Sequence, residues 1–355
     1  MRFSCWPPGT TQNRPGNRPP DFSLAGFAAM NGGTTGGTGG DIVVVNTGRE
    51  LQDAINDKDF DRPLTVLVNG TISTGNTGRE NRIHIYFVRN VSILGVGNRG
   101  RLNGVGLRIT RSRNIVIRNL AIHEVESGSD RNAIIIEGPS SNIWLDHNEL
   151  RGSLAVAHDE LIQTGNDVEF VTLSYNYFHN NREAVQLGGF GGSPQYVTIH
   201  HNRFENLNSE APRFLSGFGH LYNNYYNNIT ESGINSHLGA HLRIENNHFQ
   251  NSRNPILSSG NGSAGYWDSR HNIFENTTWV RGGSSDMVAS IDPDDCSGQT
   301  TVYNPPYVYR LDPVELTRSI ALNYTGIGII NITIPPGASE RRPRGRRDGD
   351  DDDDD

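Results

Sequence analysis

Asn142-Ile-Trp-Leu-Asp-His-Asn-Glu-Leu150 contains the unit from which the fold can be read. A short apolar run suited to a strand leads to an asparagine, Asn148, and two residues later to another apolar side chain, Leu150. Phe170-Val-Thr-Leu, leading to Asn176 and Phe178, repeats the pattern, and Tyr196-Val-Thr-Ile, leading to Asn202 and Phe204, repeats it again. Followed outward, the series is Asn119, Asn148, Asn176, Asn202, Asn224, Asn247 and Asn272, each two residues before Ala121, Leu150, Phe178, Phe204, Tyr226, Phe249 and Phe274. Its spacings are 29, 28, 26, 22, 23 and 25 residues. A variable period in the twenties means one solenoid coil per repeat, with the excess in loops. Asparagine suits such a coil, because it tolerates the left-handed backbone of a sharp turn and its amide can bond from coil to coil. The period is short for a β-propeller, and a leucine-rich solenoid would show its leucine signature, so the repeat predicts an all-β parallel β-helix.

Outside the repeat, Thr47 followed three residues later by Glu50 is a capping box, with Leu51, Ala54 and Ile55 on one face of the helix it opens. This helix is expected to cap the N-terminal end of the solenoid. Residues 1–22, rich in Pro, Asn, Arg and Gly, read as a disordered leader, 23–335 as the β-helix and 336–355 as a charged disordered tail. The net charge is -8 and every basic residue except Lys58 is an arginine, which argues against a nucleic-acid partner. With 34% hydrophobic residues and no long apolar run, neither a membrane span nor a secretory signal is expected. Two distant cysteines, Cys5 and Cys296, provide no disulfide framework.

Several segments resemble one family. Asn142 to His147 is similar to the Trp-Ile-Asp-His motif of the pectate lyases, and Phe27–Gly40 resembles their mature N-terminus. Asn90–Gly97 and Asn114–Leu120 look like their early coils, His200–Phe204 and His220–Tyr226 like their central coils, and Tyr303–Gly328 like their closing segment. The resemblance runs in family order over about residues 23 to 330 and implies a right-handed parallel β-helix. It also implies β-elimination on an acidic, pectin-type polysaccharide by an extracellular, monomeric enzyme. In the family, calcium and arginine neutralise the uronate carboxylate, a base removes the C5 proton and the C4 oxygen leaves.

Carried over residue by residue, the resemblance places the calcium ligands at Asp130, Asn132, Asp159 and Gln163. Two of these four positions, carboxylates in the family, hold amides here, so calcium is expected to bind weakly. The family's substrate lysine falls on Glu183, next to Arg182, and its Arg-x-Pro-x-x-Arg motif reads Glu210-Ala-Pro-Arg213-Phe-Leu215. Asp146, His147 and His200 fall beside the expected groove as substrate contacts, Asp146 and His147 also as coil-stabilising residues. Three readings remain open. Glu210 could serve as base with Arg182 or Arg213 neutralising the uronate. Glu183 and Glu210 could form a hydrolytic carboxylate pair acting on a neutral glycan. The third is a carbohydrate-binding β-helix without chemistry.

Overall fold

A computed structural model of the protein describes residues 20–78, 81–125, 130–155, 159–189, 193–259, 264–280, 287–290 and 302–340. Most of the leader and of the acidic tail lies outside these residues. The chain winds as a right-handed solenoid of three sheets, one of eleven strands and two of nine. Sheet 1 contains Ser140–Asp146 and Val168–Ser174, sheet 2 contains Glu149–Arg151 and Tyr177–Glu183, and sheet 3 contains Ile162–Thr164, Val185–Leu187 and Arg213–Phe214. Nearly all pairings are parallel and join strands one coil apart; Ile256–Ser259 with Met287–Ser290 is antiparallel.

The repeat seen in the sequence marks the turn from sheet 1 to sheet 2. Asn148 donates to Asn176 Oδ1, Asn176 to Asn202, Asn202 to Asn224, Asn224 to Asn247 and Asn247 to Asn272, each at 3.0 Å. Each acceptor oxygen also takes the backbone N–H of the asparagine one coil earlier, so a buried turn keeps no idle amide. The apolar partners stack inside as Phe178, Phe204, Tyr226, Phe249 and Phe274, nearly parallel with ring centroids 4.5–5.3 Å apart.

Two details of the expectation change. The left-handed backbone falls on the residue before each ladder asparagine, namely His147, Tyr175, His201, Asn223, Asn246 and His271 at φ of 50–55°. That twist turns the following amide into the coil, where it bonds instead of turning. The first member is also one residue out of step: Arg118 pairs with Asp146, which puts Asn119 opposite His147, and Leu120 takes the ladder position, its N–H meeting Asn148 Oδ1.

The helix Gly48–Asn56 carries the predicted capping box and buries Leu51, Ala54 and Ile55 against the first coil. Residues 20–40 run lengthwise over sheet 1: Phe27 N–H meets Thr198 Oγ1, Ala28 N–H meets Thr172 Oγ1, and Gly36 N–H meets Asn114 Oδ1. At the same end of the solenoid Ser339–Glu340, which the sequence reading placed in the tail, pairs with Asp41–Val45.

Candidate active site

Sheet 3 carries an outward row of paired residues, Ile135, Gln163, Gln186, Arg213 and Asn235, one per coil. Three residues before each of the first four, where sheet 2 turns into sheet 3, stand Asn132, Glu160, Glu183 and Glu210. Counted back from sheet 3, these are equal positions on successive coils, one strand spacing or about 4.8 Å apart, although on the sheet 2 side Glu183 pairs with Ser209. The column therefore forces three carboxylates together: one oxygen from each of Glu160, Glu183 and Glu210 lies within 4.8 Å of the others.

Their surroundings differ. Glu160 is tied at the upper end, its Oε2 accepting from Asn132 Nδ2 at 3.1 Å. Glu183 is half-buried, and Arg182 beside it is exposed. Glu210 is 7% exposed and sits in the left-handed region at φ 54°, a strained backbone for a non-glycine residue. Its Oε1 is 2.5 Å from Arg213 Nη1, while its Oε2 is buried with no hydrogen-bond partner among the described residues. Arg213 also donates to Gln186 Oε1. Burial pushes the Glu210 carboxyl up to about 8; Arg213 pulls the other way, but it is outweighed, and Glu183 and Glu160 add to the rise. Glu183 is raised as well, by burial first and then by Glu160.

The four expected calcium ligands are otherwise engaged. Asp130 forms an ion pair with Arg108, which also holds Glu137 at 2.9 Å. Arg82, under the same loop, donates to the carbonyls of Asp130 at 2.5 Å and Asn132 at 3.3 Å. Asn132 turns its amide N–H to Glu160, and Asp159 Oδ2 accepts the N–H of Arg131 at 2.8 Å. Gln163 stays in its row between Ile135 and Gln186. Two guanidiniums thus occupy the surroundings where a calcium ion would bring its charge, so these residues do not fit one.

Asp146, His147 and His200 require a correction. Asp146 and His147 are fully buried and His200 is 3% exposed, all on sheet 1 or its turn. Asp146 Oδ2 takes Arg118 Nε at 2.5 Å and faces His147 Nδ1 at 2.7 Å, while Asp146 Oδ1 takes Ser174 Oγ at 2.6 Å. Phe22 sets its ring edge on His147 at 4.6 Å. His200 lies against His201 and Tyr222, and burial holds it well below its usual range, hence neutral. All three belong to a different sheet from the glutamate column and are shut off from solvent. Tyr175, Tyr196 and Phe218 also belong to sheet 1 or its turns.

A sequence profile of the pectate lyase family matches residues 20–329. The chain belongs to the pectate lyase family. It is 49% identical over 317 residues to a pectate trisaccharide-lyase of Bacillus licheniformis, covering 88% of both chains. A pectate lyase A of Emericella nidulans is 32% identical, with 72% of this chain and 79% of that one covered. Among solved structures, pectate lyase Bsp165PelA from Bacillus sp. N165 in complex with trigalacturonate superposes with a TM-score of 0.76 at 32% identity, over 87% of this chain and 100% of that one.

For a pectate lyase the column is unusual in its charge, and one of its members, Glu160, escaped the sequence reading. A signal for it was present: Glu160-Leu-Ile-Gln163, Glu183-Ala-Val-Gln186 and Glu210-Ala-Pro-Arg213 share glutamate, two small or apolar residues and a polar one. The asparagine ladder hides this recurrence, because the loops between ladder and glutamate differ in length.

Proposed function

We propose that this pectate lyase cleaves a pectin-type galacturonan by β-elimination along the outer face of sheet 3, with the Glu183–Glu210 pair as proton acceptor. The observation that carries the assignment is the convergence of the Glu183 and Glu210 carboxyls beside Arg213, where burial raises Glu210 to about 8. Two carboxylates this close share protons, so they titrate as a unit, and the less buried Glu183 is the member a substrate can reach. The C5 proton passes to Glu183, its electron pair forms the C4–C5 double bond, and the C4–oxygen bond breaks with the oxygen taking a proton from water. Arg213 and the exposed Arg182 supply the positive charge that holds the uronate and stabilises the enolate. Asp130, Asn132, Asp159 and Gln163 take no part in these steps. The substrate is too large to cross a membrane, so the chain acts outside the cell, and the whole column lies within one chain, as a monomer requires.

The geometry disfavours the hydrolytic alternative. The spacing, with oxygens within 4.8 Å, is too short for an inverting pair at about 6.5–9.5 Å and close to a retaining one at about 5–5.5 Å, but both classes need carboxyls that flank the bond, whereas Glu183 and Glu210 stand on neighbouring coils of one wall. The test is a parallel assay on polygalacturonate, methylated pectin and neutral glycans, following unsaturated-product absorbance and reducing ends separately. Absorbance that rises with reducing ends on polygalacturonate is expected. Reducing ends without absorbance would replace elimination by hydrolysis, and binding without either signal would leave a sugar-binding β-helix.

A further inference from the structure

The three glutamates face a charge problem that proton sharing answers only in part. Three carboxylates converge, one cation (Arg213) is in direct contact, and it engages a single oxygen of one member, Glu210 Oε1. Glu210 Oε2 is left buried without a donor, in a residue 7% exposed, although an oxygen taken out of water ordinarily finds a partner. Its column neighbours are carboxylates, which cannot donate while ionised. A cation among them would satisfy this oxygen and offset the repulsion together.

We propose that Glu160, Glu183 and Glu210 form a divalent-cation site that takes calcium, separate from the positions Asp130, Asn132, Asp159 and Gln163. Calcium binds carboxylate oxygens at about 2.3–2.6 Å, so opposed oxygens in its shell stand about 4.6–5.2 Å apart. The three oxygens, within 4.8 Å of one another, are in reach of one such ion without movement of the coils. The ligands are rigidly spaced, because coil stacking sets their separation, and all three are hard oxygens, the chemistry that suits calcium over softer metals. The arrangement inverts the expected charge pattern: guanidiniums occupy the surroundings of Asp130, and the acids able to hold a cation stand one to three coils further on. A consequence follows that rests on the lyase reading. The ion would occupy the oxygens proposed to accept the C5 proton, so calcium should slow elimination by this chain.

The decisive measurement is calorimetric titration of calcium chloride into the full chain after chelator treatment, without substrate. A saturable one-to-one heat is expected, weakened about tenfold or more in Glu160→Gln and in Glu183→Gln, and changed less than about twofold in Asp130→Asn. Two variants are used so that one folded protein with a melting temperature near wild type is sufficient. No saturable heat up to about 10 mM calcium, or loss of binding in Asp130→Asn with both glutamine variants unaffected, overturns the site. If polygalacturonate is cleaved, the rate should fall as calcium rises in wild type and not in Glu160→Gln; a rate that rises with calcium overturns the blocking role. If no unsaturated product forms at all, the lyase reading fails while the calorimetry still decides the site.

Discussion

Glu210 carries a measurable consequence of its burial. Its carboxyl titrates near 4.5 in the unfolded chain and is raised to about 8 in the fold. The folded state therefore binds the extra proton, and stability falls as pH rises from about 4.5 to about 8, then levels off. In calcium-free buffer, Glu210→Gln should flatten that slope, leaving the melting temperature nearly unchanged at pH 4 and raising it above pH 8; equal shifts at both ends would contradict the burial argument. Glu183→Gln tests the chemistry instead. It removes the proton acceptor at the cleft surface and should lower kcat about 100-fold or more with a much smaller change in KM. Glu183 and Glu210 were visible in the sequence because they fall where the resemblance expects the substrate lysine and the first arginine of the Arg-x-Pro-x-x-Arg motif. Glu160 was not, since its signature, the recurring glutamate three residues before a polar one, is masked by loops of unequal length until neighbouring coils are laid side by side.

At the scale of the element, the ladder asparagines are the most exacting positions. Asn202 accepts from the N–H and Nδ2 of Asn176 and donates to the carbonyl of Leu173 and to Asn224 Oδ1, all out of contact with water. Asn202→Ala should cost about 3 kcal/mol or more in chemical denaturation, because each orphaned buried group carries its own penalty of about 1–3 kcal/mol. Asn272, partly exposed at the end of the ladder, should cost clearly less on the same change. Inside the coil, Phe204 is sandwiched between Phe178 and Tyr226, and Phe204→Ala should cost about 3–5 kcal/mol. The repeat was legible because one chemical need, a donor and an acceptor at a buried turn, recurs on every coil. Its phase at Asn119 was not legible, since an asparagine one residue early looks the same on the page.

For the whole molecule, an acidic chain of net charge -8 is paired with an acidic polymer. Exposed charges repel over roughly 10 Å at about 0.1 M salt and over less as salt increases. The apparent KM for polygalacturonate should accordingly fall as sodium chloride is raised from about 0.01 to 0.2 M; a KM that climbs with salt would mean that Arg182 and Arg213 dominate the encounter. The segment at residues 20–40 binds backbone N–H groups to Thr198, Thr172, Asn114 and Ser92 on successive stretches of sheet 1. It closes the wall behind Asp146, His147 and His200, which explains why these motif residues are structural here.

The sequence by itself determined the solenoid, its approximate period, the capping helix and the family, because each of these rests on spacings along one chain or on contiguous motifs. Only the tertiary structure decided which side chains share a wall. Stacking converts residues 23 and 27 positions apart, Glu160 to Glu183 and Glu183 to Glu210, into neighbours one strand spacing apart, and a loop of any length can intervene without disturbing that register. The same stacking sends Asp146 and His147 to a different sheet and its turn, although they belong to the stretch of sequence that reveals the fold.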